Sequence, residues 1–255
     1  MKRISLVVAD LDGTLIDPEK RLIDASLRAV REFEDKGGLF TVVSGRPPFG
    51  MRSYVDVLRI CLPISGFNGG MVTNPDYETT QKLTLPPDVA REASRFLETK
   101  GLQYWIYRGS DWMVLKSGSP HEEKETRNVG FSPSVVSSFE GRWVGVTKIV
   151  GICDDHEKLA GIAHEMQLTF RGRATAARSQ PYYLDITHSE ANKGLFIDYL
   201  SQLHRVPRDE IAMGNASESV KAAAKAETSS NAEEGFARAM DELVLGRKSQ
   251  TSRSA

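Results

Sequence analysis

The apolar stretch of residues 4–9 stops abruptly at Asp10-Leu11-Asp12-Gly13-Thr14. An unbroken apolar run of this kind, rather than an alternating one, reads as a strand buried on both faces, as in a parallel sheet flanked by helices. The loop at the carboxyl end of such a strand is where α/β sheets bind ligands. Side-chain alternation aims Asp10 and Asp12 into the same space, and two like charges held together require a cation or a proton between them. A magnesium ion and a phosphate meet that requirement. Gly13 allows a tight turn, and Thr14 adds a hydroxyl donor for a phosphoryl oxygen. The competing reading, a plain Asp-x-Asp-Gly hairpin turn, does not account for the buried-type strand in front of it.

Composition narrows the remaining classes. The chain has 255 residues, 40% of them hydrophobic, enough for one large core or two modest ones. A formal net charge of -1 with scattered basic residues speaks against a nucleic-acid partner. No apolar stretch has the length of a membrane span, and the N-terminus turns acidic too soon for a signal peptide, so the expected location is cytoplasmic, with no membrane partner. Cys61 and Cys153 lack metal-ligand spacing and suit a reducing compartment. The five histidines are dispersed, which argues against zinc.

Along the chain, the first eighty or so residues alternate strand and helix. Ile23-Asp24 reads as a staple and N-cap before a helix carrying Leu27, Val30 and Phe33, ended by Gly37-Gly38. A strand over residues 39–43 ends in Ser44-Gly45-Arg46-Pro47, and a short one at residues 62–64 leads to Phe67-Asn68-Gly69-Gly70. Strands that each finish in small or polar residues point to one shared site along a sheet edge. From about Thr84 the pattern changes to short aromatic-rich strands and amphipathic helices, the last strand covering residues 182–186. The expected organisation is α/β: a discontinuous core of residues 1–83 and 187–245 with mainly parallel sheet, an inserted α+β domain at 84–186, and a disordered tail at 246–255. Linkers are expected near 82–86 and 183–188. Trp105, Tyr107, Trp112 and Trp143 are expected to build the small core of the insertion.

Taken in order, Asp10-Leu-Asp12-Gly-Thr14, Ser44-Gly-Arg-Pro, Asn68-Gly69, the insertion, and Ala191-Asn192-Lys193-Gly194 resemble the haloacid dehalogenase superfamily, in particular its Cof-like, type IIB sugar-phosphatase branch. The resemblance covers nearly the whole chain up to the tail. It implies a Rossmann-like core, a C2-type cap, a Mg2+ cofactor and a small phosphorylated metabolite as substrate. It further implies that Asp10 is the nucleophile forming an aspartyl-phosphate, that Asp12 is the general acid and base, and that Ser44 and Gly45 bind a phosphoryl oxygen. Lys193, at the start of a helix and therefore poorly placed for the helix dipole, makes sense facing phosphate and the Asp10 carboxylate. Arg46 and Asn68 either contact substrate or stabilise their own turns.

The C-terminal part departs from the resemblance. Relatives carry Gly-Asp-x-x-Asn-Asp after a strand that follows the lysine helix, whereas here residues 206–212 run directly into Met213-Gly214-Asn215-Ala216-Ser217, as though one strand-helix unit were missing. Either residues 211–214 stay the later strand and leave a vacant slot, or they move into that slot and Asn215 falls at the position of the acidic metal ligand. The second placement avoids unpaired strand edges inside a sheet. The metal set is then Asp10, Asp12 and Asn215, with weak binding expected. Two functions remain open: a magnesium-dependent phosphatase, and a catalytically silent protein that binds a phosphorylated ligand. Oligomeric state is not legible.

Overall fold

Leu6–Asp10 forms β1, buried at every position. The chain then enters α1 (Asp24–Asp35), whose buried Ser26, Ala29, Val30 and Phe33 recur at helical spacing. Asp24 is the first helical residue and not its cap: Ile23 holds the cap position, with no side-chain capping bond. Gly37, with φ +81°, ends the helix, and a Cβ on Gly38 would lie 2.3 Å from the Phe33 ring, so the glycine pair serves both a left-handed turn and a close approach. β2 (Leu39–Val43) follows, then α2 (Arg52–Leu58) and β3 (Ile64–Gly66). The third strand thus begins two residues later than the apolar pattern suggests, because Pro63 supplies no ladder N–H.

β4 (Met71–Thr73), β5 (Thr79–Lys82), α3 (Pro87–Thr99), β6 (Gln103–Arg108), β7 (Asp111–Val114), α4 (Glu122–Val129), β8 (Ser134–Val135), β9 (Lys148–Ile152), α5 (His156–Thr169), β10 (Ala174–Gln180) and β11 (Tyr183–His188) come next. The chain closes with α6 (Lys193–His204), β12 (Ile211–Met213) and α7 (Gly235–Ala239). The computed structural model describes residues 4–206, 211–213 and 228–247. Among them no helix is long and apolar enough to cross a membrane.

Two six-stranded sheets result, ordered β12-β1-β2-β3-β4-β5 and β10-β11-β9-β6-β7-β8. The fold is mixed α/β, as expected. In the first sheet β1 runs parallel to β2, with Leu6 opposite Leu39 and Asp10 opposite Val43, and parallel to β12, with Leu6 opposite Ile211 and Val8 opposite Met213. β12 therefore pairs directly with β1. Asn215 lies outside the described residues, as does most of the proposed tail, although Arg247 is held by Glu32 and Asp241.

The chain divides into two compact units: residues 1–44, 53–64 and 196–255 in one, 45–52 and 65–195 in the other. In the second unit, one face of the β6-β9-β11 sheet buries Tyr104, Ile106, Ile149, Leu184 and Ile186 with Leu97 of α3 and Leu159 and Met166 of α5. A separate cluster holds Trp105, Tyr107, Trp112, Val150 and Tyr183 with Phe67 and Met71. Trp143 belongs to the first cluster, so the aromatic concentration is split between two cores. Residues 183–188, expected to act as a linker as well as a strand, are a strand paired on both sides, with β9 and with β10.

Candidate active site

Asp10, Asp12, Thr14 and Ser44 lie in the first unit. Asp10 is 5% exposed at the end of β1, and its Oδ1 accepts the Leu11 N–H at 2.9 Å. The Leu11 carbonyl accepts N–H groups of Thr14, Leu15 and Ile16, winding the loop tightly, with Gly13 at φ +79°. The Thr14 hydroxyl is buried without a partner among the described residues. Asp12 is partly exposed and paired with Lys20, Nζ to Oδ1 2.5 Å. Lys20 has φ +67°, and its carbonyl accepts the Tyr54 hydroxyl at 2.8 Å. Ser44 is fully buried and follows Val43, the register partner of Asp10, so Asp10 and Ser44 end neighbouring strands. Asp10, Asp12, Thr14 and Ser44 thus share one carboxyl edge.

The second unit gathers another set. A Cβ built on Gly45 would lie 3.2 Å from Asn68 Oδ1, and one on Gly69 would lie 2.0 Å from the Asn192 carbonyl oxygen. The loop after β2, the turn after β3 and the entry to α6 are therefore in contact, tightly at Gly45 and with no room for a side chain at Gly69. Asn68 has φ 57°, in the left-handed region that asparagine tolerates. Asn192 Oδ1 accepts the Leu195 N–H at 3.0 Å, capping α6, and Lys193 is that helix's first residue. Arg46 is buried: its guanidinium donates to the Asn128 carbonyl, while its own carbonyl accepts the Phe67 N–H. Gly45, Arg46, Asn68 and Lys193 are thus neighbours on linked loops.

Sequence reasoning passed over Lys20, Lys148, Asp185 and Glu125. Lys148 and Asp185 form a buried ion pair of 3.1 Å. Glu125 receives the Tyr107 hydroxyl at 3.4 Å, and burial, the first cause, raises its carboxyl above the usual range; nearby Asp185 adds to this, while Lys148 and Arg46 oppose it. Glu122-Glu123-Lys124-Glu125 reads locally as a solvated helix face, and only the packing of α4 turns one glutamate inward. Among the described residues no group of three or more His, Cys, Asp or Glu could hold a metal. Asp10 and Asp12 are nevertheless hard oxygen donors of the kind magnesium takes, and magnesium is commonly held by one or two carboxylates, with water and substrate phosphate completing its shell.

A family model described as haloacid dehalogenase-like hydrolase matches residues 7–212 and 209–240. The chain belongs to that family. The 5-amino-6-(5-phospho-D-ribitylamino)uracil phosphatase YwtE of Bacillus subtilis is 22% identical over 285 positions, covering 94% of this chain and 98% of that protein. That alignment is longer than the 255 residues of this chain, so the relative carries segments with no counterpart here. The HMP-PP phosphatase of an Enterobacter species is 25% identical, covering 83% of this chain and 77% of that protein. A haloacid dehalogenase-like hydrolase from Bacteroides thetaiotaomicron superposes with a TM-score of 0.81 at 25% identity, covering 94% of this chain and all of that one.

Proposed function

We propose that the chain is a magnesium-dependent phosphatase that hydrolyses small phosphorylated metabolites of the sugar-phosphate kind through an aspartyl-phosphate. The observation that carries this reading is the buried carboxylate of Asp10 ending β1 beside buried Ser44 ending β2, in a family whose relatives above are named as phosphatases. In this reading Asp10 attacks phosphorus while Asp12 gives a proton to the departing alkoxide oxygen. Asp12 then takes a proton from water, which attacks the aspartyl-phosphate, releases inorganic phosphate and restores Asp10.

Thr14, Ser44 and the Gly45 N–H donate to phosphoryl oxygens, Lys193 balances their charge, and Arg46 and Asn68 contact the substrate. The unpartnered Thr14 hydroxyl suits this role. Asp10 and Asp12 would hold the ion, with Asn215 as the third ligand named by the sequence. Bound there, magnesium would offset the charge spread over the transferred group. Residues 84–186 form the proposed C2-type cap.

The departure from the Gly-Asp-x-x-Asn-Asp pattern at residues 206–217 favours a second reading in which a phosphorylated ligand is bound but not hydrolysed. Phosphate release from a panel of small phosphoesters by wild type and Asp10→Asn, with magnesium and with chelator, separates the two. Magnesium-dependent release abolished in Asp10→Asn is the expected result. Absent or Asp10-independent release from folded protein overturns the enzyme reading.

A further inference from the structure

Lys148 points from β9 into the interior of the second unit, its side chain 6% exposed. Its ammonium meets Asp185 Oδ2 at 3.1 Å and the Gly45 carbonyl oxygen at 3.2 Å, with the Tyr107 and Phe67 rings 5.5 and 5.8 Å away. An ammonium withdrawn this far from water must be paired, and Asp185 supplies the opposite charge. The second bond goes to the main chain of the loop that follows Ser44, which charge neutralisation alone does not demand. The peptide plane makes that bond consequential. A trans peptide points its C=O and N–H in opposite directions, so holding the Gly45 carbonyl sets the direction of the Arg46 N–H and anchors the Gly45 Cα, from which the Ser44-Gly45 peptide leads back.

The rest of that loop is tied in the same way. The Phe67 N–H holds the Arg46 carbonyl at 2.9 Å, the Arg46 guanidinium holds Asn128, and Asn68 packs against Gly45. Among these ties Lys148 and Asp185 contribute the buried ion pair, on adjacent strands with Thr187 opposite Lys148 and Asp185 opposite Val150.

We propose that Lys148 is a positioning residue for phosphoryl transfer: by gripping the Gly45 carbonyl it holds the loop from Ser44 to Arg46 in the orientation that presents its donors to the phosphoryl group. This rests on the phosphatase reading. It differs from a structural salt bridge in what happens when both charges are removed together.

Lys148→Met/Asp185→Leu deletes the pair without leaving a lone buried charge, and Lys148→Gln/Asp185→Asn replaces it by two amides too short to reach Gly45; either one that folds serves the test. The readouts are magnesium-dependent turnover of p-nitrophenyl phosphate, with kcat and KM resolved, and affinity for inorganic phosphate followed by 31P NMR. Expected is a melting temperature close to wild type, kcat reduced roughly 10- to 100-fold through the misplaced loop, and weakened phosphate binding. Wild-type kcat and phosphate affinity in a folded double variant overturn the proposal. If wild type binds inorganic phosphate without Asp10-dependent turnover, the phosphatase reading fails and the phosphate affinities of the double variants decide the role of Lys148. If it neither turns over substrate nor binds phosphate, both fall.

Discussion

The Thr14 hydroxyl is buried beside the Asp10 carboxylate loop with no partner among the described residues. An unsatisfied buried hydroxyl contributes nothing to folding, so Thr14→Val should leave the urea midpoint unchanged or slightly higher while phosphate release falls about tenfold or more. Equal activity in the variant would remove Thr14 from the phosphate site. Gly69 is the opposite case. With φ +97° and only 2.0 Å from a built Cβ to the Asn192 carbonyl, Gly69→Ala must displace the entry to α6, costing about 1–3 kcal/mol in denaturant titration and moving Lys193 with it. Glu125 carries a pH dependence. Its carboxyl is raised by burial, so the folded state favours the protonated form, and the stability tied to that proton is complete below the ordinary value of 4.5 and lost as pH rises through the folded pKa. Glu125→Gln keeps the neutral shape. Melting temperature measured from pH 4 upward should therefore fall less in the variant than in wild type.

Helix and strand limits followed local chemistry where that chemistry was strong. α5 is capped by Asp155, whose carboxylate accepts the Lys158 N–H at 2.9 Å. The helix buries Leu159, Ile162, Ala163 and Met166 in the larger core cluster. Asp155→Ala should therefore cost about 1 kcal/mol by urea denaturation, with the helix itself retained by packing. β10 shows the reverse. Ala-Thr-Ala-Ala-Arg-Ser-Gln has no strand pattern and three good helix formers in a row, yet it is extended because each residue from Ala174 to Arg178 pairs with β11. Pairing across the sheet overrode propensity there. α1 and β1, whose apolar spacing is unambiguous, needed no such help.

For the whole molecule the decisive quantity is linkage. A ligand that binds only the native state raises its apparent stability by about 2.7 kcal/mol at a hundredfold excess over Kd. Magnesium with inorganic phosphate should thus raise the melting temperature of wild type, and chelator should reverse the part that depends on the ion. No shift at saturating concentrations would count against both the phosphatase and the silent binder. The strand ends at Asp10 and Ser44, the glycine turns and the start of α6 at Lys193 were legible in the chain, because each rests on a short run of residues with its own conformational preferences, and the family was legible through the resemblance of its motifs. Lys20 beside Asp12, the Lys148–Asp185 pair bridging to Gly45, the inward turn of Glu125 and the split of the tryptophans between two cores were not. Those joins cross from eight to more than a hundred residues of sequence. They exist only because strand pairing and helix packing carry distant side chains to one place, and no local pattern encodes which distant carbonyl a buried lysine will find.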